Sequence, residues 1–113
     1  MEIRKKIENG IGVISIIGEL DSYTAPELTQ FFNEQLENNV TKFVADLQGL
    51  AYSSSAGIRI FLGLAREARM QNGDLRIASV QPQVDKIFKL SKFDKIVKVF
   101  STVEEALNSF KQV

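Results

Sequence analysis

The sequence predicts an α/β domain in which a mixed sheet of four to five strands is packed against about four helices. Short segments rich in Val, Ile and Phe alternate along the chain with segments whose apolar residues recur at helical spacing. The first two strand-like segments are joined by Asn9-Gly10, a pair typical of a tight antiparallel hairpin. With 113 residues, 44% of them hydrophobic, the chain is predicted to form a single domain over residues 1–113.

The first third of the chain supplies the hairpin and a helix. The hairpin strands are predicted at 2–7 and 11–17, and the second is apolar on both faces, as a central strand is. The segment Thr24-Ala25-Pro26-Glu27 has the composition of a capping box, with a hydroxyl, a first-turn proline and a glutamate three residues after the hydroxyl. A helix should follow, burying Leu28, Phe31, Phe32 and Leu36.

The middle of the chain contains a predicted strand, a turn rich in serine and a long helix. The strand is expected at 41–47, and residues 48–54 are expected to form a loop. The helix should run from Ser55 to about Gln71, and Gly73 is expected to end it as a left-handed cap.

The last third repeats the alternation of strand and helix. Strands are predicted at 75–80 and 97–100, with a short helix beginning at Pro82 between them. A final helix should start within Ser101-Thr102-Val103-Glu104-Glu105, a segment typical of a capped helix start.

The charge composition argues against several classes of partner. Lysine plus arginine and aspartate plus glutamate both count 14, so there is no basic field for nucleic acid or an anionic membrane surface. No stretch approaches the roughly 20 apolar residues of a membrane helix, and no secretory signal is expected. The absence of cysteine fits a reducing compartment, so a cytoplasmic location is expected.

The composition also argues against an enzyme. The chain has no histidine, the most common general base near neutral pH and the most common metal ligand. It has neither a Gly-rich phosphate loop nor the GxSxG elbow of a serine hydrolase. We therefore expect no catalytic residue, no metal and no cofactor.

The serine turn, Ser53-Ser54-Ser55, could cap the long helix or hold a phosphate. Ser54 or Ser55 should be the N-cap of the long helix, because the first backbone N–H groups of a helix lack intrahelical acceptors. The same position favours a phosphate added to a serine, because a helix start attracts anions. Gly57 would leave room for the phosphate, and Arg59, four residues after Ser55, could pair with it. Alternatively, the serines only cap and turn. Asp21 and Asp46 each lie at or just after a strand end, and could either approach this turn or cap their own loops.

Several motifs in register along nearly the whole chain resemble the STAS domain of anti-sigma factor antagonists. Gly18-Glu19-Leu20-Asp21 with Thr24-Ala25 is similar to the entry to the family's first helix. The stretch from Asp46 to Arg59 is similar to the family signature that ends in the phosphorylated serine and its helix. Residues 90–96 and 101–106 resemble its closing pattern.

This resemblance implies a STAS-like fold and a switch. In the family, the unphosphorylated antagonist binds an anti-sigma factor that is also a GHKL-type serine kinase, and frees the protein which that factor holds. The kinase phosphorylates the serine at the helix start, and a PP2C-type phosphatase restores it. By register the phosphorylated residue is Ser55. The implied contact surface comprises Asp21, Ser54, Ser55, Ala56, Gly57, Ile58 and Arg59.

One position departs from the family pattern. The family often has Asp directly before the phosphorylated serine, and here Ser54 stands there and is a rival acceptor. An alternative function is therefore a STAS domain that is not phosphorylated, either a subunit of a transporter or a module that senses a small ligand.

Overall fold

The computed structural model describes residues 1–111 as a six-stranded sheet with helices on both faces. The strands are β1 (Glu2–Glu8), β2 (Ile11–Leu20), β3 (Lys42–Asp46), β4 (Leu50–Ser53), β5 (Asp74–Ala78) and β6 (Val99–Phe100). The helices are α1 (Ala25–Glu37), α2 (Ser55–Met70), α3 (Pro82–Leu90) and α4 (Val103–Asn108), with a 3-10 turn at Phe93–Lys95. The predicted α/β class, the hairpin and all four helices are confirmed.

The sheet is mixed, as the sequence predicted. Its order is β1-β2-β3-β5-β6; β1 and β2 are antiparallel, and the other pairs are parallel. The strand β4 was not predicted, since residues 48–54 were expected to form a loop. It pairs in parallel with residues 18–20 at the end of β2, beyond the segment that pairs with β3. The segment before Ser55 is therefore part of the sheet.

Alternating side chains of the central strands face two separate cores. Phe43 and Ala45 of β3 belong to the main core, which also contains the buried residues of α1, α2 and α3. Val44 points to the opposite face, where it packs with Ala78 and with Ala106 of α4. The helices α1 and α2 thus share one face of the sheet, and α4 covers the other. Within residues 1–111, no helix combines the length and the apolar character needed to cross a bilayer.

The predicted capping box at the start of α1 is wrong. The Thr24 hydroxyl accepts from the Asp21 N–H at 3.0 Å and donates to the Glu19 carbonyl at 3.1 Å, so it does not cap the helix. The Glu27 N–H donates to the Thr24 carbonyl oxygen instead. The hydroxyl is thus engaged with the loop that leaves β2. At α4, in contrast, the predicted cap is confirmed, because Thr102 Oγ1 accepts from the Glu105 N–H at 3.1 Å.

The end of α2 also differs from the prediction. The left-handed residue is Asn72, with a φ of 64°, and Gly73 does not have a positive φ. A Cβ at Gly73 would lie 1.8 Å from the carbonyl oxygen of Thr41. Gly73 is therefore required by close backbone packing against the start of β3.

Candidate functional site

The three consecutive serines have three different environments. Ser53, the last residue of β4, is buried, and its hydroxyl donates to the Ser54 carbonyl at 3.2 Å. Ser54 is the N-cap of α2, and its hydroxyl accepts from the Gly57 N–H at 3.4 Å. Ser55 occupies the first position of α2 and is exposed. The open choice of N-cap is thus resolved to Ser54, and Ser55 is the serine whose side chain faces solvent.

The first turn of α2 retains donor capacity for an anion. The Gly57 N–H is bound by the Ser54 hydroxyl, and the Ile58 N–H donates to the Ser54 carbonyl at 3.2 Å. In the part of the chain that the structure describes, no protein acceptor is recorded for the N–H groups of Ser55 and Ala56. These two groups lie at the positive end of the helix dipole, so the helix start favours negative charge.

Gly57 and Ile58 lie beneath this surface. A Cβ at Gly57 would lie 2.5 Å from Ser53 Oγ and 2.7 Å from Leu20 Cδ2, so the glycine is needed for packing inside the protein. Ile58 is 7% exposed and belongs to the main core. Both residues are buried, so this position does not favour their predicted place on a contact surface, which stays a prediction.

The loop that contains Asp21 is fixed by its own hydrogen bonds. Asp21 Oδ1 accepts from the Tyr23 N–H at 2.9 Å and from the Thr24 N–H at 3.0 Å. The hydrogen bond from the Thr24 backbone, followed by that from Tyr23, lowers the pKa of the Asp21 carboxyl, because these donors stabilise its charged form. Asp21 therefore shapes the loop between β2 and α1.

A backbone hydrogen bond joins this loop to the serine turn. The Ser54 N–H donates to the carbonyl oxygen of Leu20, the residue before Asp21, at 2.8 Å. The ends of β2 and β4 thus place the Asp21 loop and the serines at one edge of the sheet, while the Asp21 carboxylate itself caps its own loop, which was one of the two alternatives. Asp46 accepts from the Gln48 N–H at 3.1 Å, which corresponds to the alternative in which it caps its own turn.

Two exposed aromatic residues belong to the same elements and were not predicted as site residues. Tyr23 lies in the Asp21 loop and is 92% exposed, and Tyr52 of β4 is 45% exposed. Aromatic residues are enriched at the centres of protein interfaces. Tyr23 had a signal in the sequence, because it lies in the polar segment between Asp21 and the proline-containing start of the first helix.

Arg59 lies one turn after Ser55 and is exposed. It lines a groove between α1 and α2 that begins near Ser22 and Ala56. No ion pair of Arg59 is recorded within residues 1–111. Its guanidinium is thus available to an anionic group on this side of the turn.

Comparison with known proteins gives consistent results. A family model described as STAS domain matches residues 2–106. BtrV of Bordetella bronchiseptica is 31% identical over 103 residues, which is 91% of this chain and 89% of BtrV. The anti-sigma-F factor antagonist RsfB of Mycobacterium tuberculosis is 30% identical over 103 residues, covering 91% of this chain and 84% of RsfB. The structure of Bacillus SpoIIAA in its phosphorylated form superposes with a TM-score of 0.74 at 20% identity, covering 97% of this chain and all of that one.

Proposed function

The chain belongs to the STAS domain family of anti-sigma factor antagonists, and from this premise we propose that it is a binding protein switched by phosphorylation of Ser55. The unphosphorylated form binds an anti-sigma factor that is also a GHKL-type serine kinase, and releases the protein held by that factor. Phosphorylation ends the binding, and a PP2C-type phosphatase restores it. Anti-sigma factor antagonists are regulators without enzymatic activity, and the proposed location of the exchange is the cytoplasm.

The exposure of Ser55 carries this proposal. The serine hydroxyl that accepts a phosphoryl group must be accessible to the kinase. Ser55 is exposed, whereas Ser53 is 1% exposed and the Ser54 hydroxyl is engaged as the N-cap. The nearby N–H groups and the helix dipole stabilise a phosphate without unfolding the helix. SpoIIAA, which shares this fold, exists in a phosphorylated form, and this supports the same chemistry here.

The proposed contact surface combines the serine turn with the Asp21 loop. It comprises the predicted residues Asp21, Ser54, Ser55, Ala56 and Arg59, joined by Tyr23. A phosphate at its centre adds about −1.5 to −2 charges at neutral pH. On docking, the charge would lose its water and face apolar groups or carboxylates of the anti-sigma factor, which costs several kcal/mol, so the modification opposes docking directly.

The direct test is phosphorylation by a candidate GHKL-type kinase with ATP. We expect the mass of one phosphoryl group to be added to the wild type and to Ser54→Ala, and not to Ser55→Ala. Labelling that persists in Ser55→Ala and is lost in Ser54→Ala would move the site to Ser54. Absence of labelling with every candidate kinase would favour the unphosphorylated alternative, a transporter subunit or a ligand sensor.

A further inference from the structure

A groove between α1 and α2 extends away from the serine turn. The end near Ser55 has a volume of about 750 Å³ and is lined by Ala56 and Arg59 together with residues of α1. An adjoining section of about 350 Å³ shares Arg59 and Ile60 with the first and continues to Gly63. The groove therefore begins at the proposed contact surface and follows α2 for two further turns.

The floor of the groove is apolar. Phe32 and Leu64 are buried beneath it, while Leu36 and Ile60 are only partly buried and pack against the main core. Partly exposed aliphatic side chains in a concave surface are suited to contact apolar side chains of another molecule.

Gly63 has no structural reason to be glycine within this chain. It lies in the middle of α2, is exposed, and a Cβ built on it would meet no atom within 4 Å. A glycine inside a helix is less stable than alanine, because it loses more conformational entropy on folding. At Gly57, in contrast, the space of the missing Cβ is filled by Ser53 and Leu20. The open space at Gly63 lies in the groove, where it allows close approach of another backbone.

The walls of the groove are acidic. Glu34 and Glu37 of α1 and Glu67 of α2 line it, and Arg59 is the only cationic residue among those lining it in the described chain. Helix α1 contains three glutamates and no lysine or arginine. None of the three lining glutamates forms an ion pair within residues 1–111. A partner with complementary charge would therefore present cationic side chains to this groove.

We propose that the groove binds an amphipathic helix of the anti-sigma factor, with an apolar stripe on the floor and Lys or Arg facing the glutamates. A helix in a groove is a common mode of peptide recognition, and here Gly63 would permit close packing of the two helix backbones. The inference rests on the proposed function, because it treats the groove as the continuation of the surface at Ser55.

The test uses a 16-residue fluorescein-labelled peptide with Leu and Ala on one helical face and Lys on the other. The matched probe has Glu in place of every Lys, and fluorescence anisotropy gives Kd with the full chain. We expect the Lys peptide to bind at least tenfold more tightly than the Glu peptide. Gly63→Leu should weaken the Lys peptide at least tenfold without lowering Tm, whereas Arg66→Leu, on α2 outside the groove, should not.

The second part of the test reverses the charge of the groove. The double variant Glu37→Lys with Glu67→Lys should prefer the Glu peptide. Equal binding of both peptides, absence of binding, or an equal effect of Gly63→Leu and Arg66→Leu would overturn the inference. Phosphorylation of Ser55 in the kinase assay would be unaffected by that outcome, so the two proposals fail separately.

Discussion

The backbone N–H of Ser54 lies 2.8 Å from the carbonyl oxygen of Leu20 and donates to it, which ties the start of α2 to the end of β2. Because Asp21 follows Leu20 and Ser55 follows Ser54, this bond and the adjacent pairing of β4 with β2 together set the relative position of the Asp21 loop and the exposed serine.

Ser55→Asp should weaken binding of the anti-sigma factor while leaving thermal stability nearly unchanged. A carboxylate at the start of a helix is favourable, whereas its charge opposes docking. A coupling of about 1–3 kcal/mol corresponds to a 5- to 150-fold loss of affinity, measurable by isothermal titration calorimetry. Ser55→Ala is the control and should bind as wild type. Unchanged affinity of Ser55→Asp, or a lowered Tm, would contradict the prediction.

Ser54→Ala should destabilise the protein more than Ser55→Ala. Removing an N-cap hydroxyl costs about 0.5–2 kcal/mol, whereas an exposed substitution usually changes stability by less than about 0.5 kcal/mol. Urea unfolding of both variants measures the difference in the free energy of unfolding. Equal effects would mean that Ser54 is not the functional cap.

Two glycines of α2 should respond oppositely to the same substitution. Gly57→Ala introduces a Cβ 2.7 Å from Leu20 Cδ2 and should destabilise the fold by about 1–3 kcal/mol. Gly63→Ala meets open space and should stabilise it by about 0.5–1 kcal/mol, because alanine is the better helix former. Urea unfolding again gives both values, and the same sign for both variants would refute the packing described here.

The Asp21 loop should loosen in acid. The pKa of Asp21 is lowered in the folded state, so its stabilising contribution is present above the ordinary Asp pKa of about 3.9 and is lost as the pH falls through the lower folded value. Amide resonances of Tyr23 and Thr24, followed by NMR from pH 6 downwards, should titrate with a midpoint below 3.9. In Asp21→Asn the carboxyl transition should be absent. A midpoint above 3.9 in the wild type would show that the hydrogen bonds do not favour the ionised form.

The fold was predictable because the hydrophobic periodicity is strong in most elements. The strand β4 escaped prediction because it has only four residues, Leu50 to Ser53, whose burial does not alternate, and it exists through pairing with the end of β2. Tertiary pairing of this kind outweighs local propensity.

The candidate site was predictable in part. The serine turn and the Asp21 loop come together as expected, since strand ends place loops at a common edge of the sheet. The burial of Gly57 depends on Leu20, a residue 37 positions away in the sequence, and no local motif indicates this contact. Similarly, the predicted capping box does not form, because the Thr24 hydroxyl is already hydrogen-bonded within the loop and Asp21 Oδ1 accepts from the Thr24 N–H.

The anchoring of the two serines before Ser55 has a consequence for substrate recognition. With Ser53 buried and the Ser54 N–H bonded to β2, this segment cannot be drawn out as an extended strand unless β4 is detached from the sheet. A kinase that phosphorylated Ser55, as proposed, would therefore have to recognise the folded surface instead of a linear motif. A synthetic peptide with the same residues would lack that surface and would be a poor substrate.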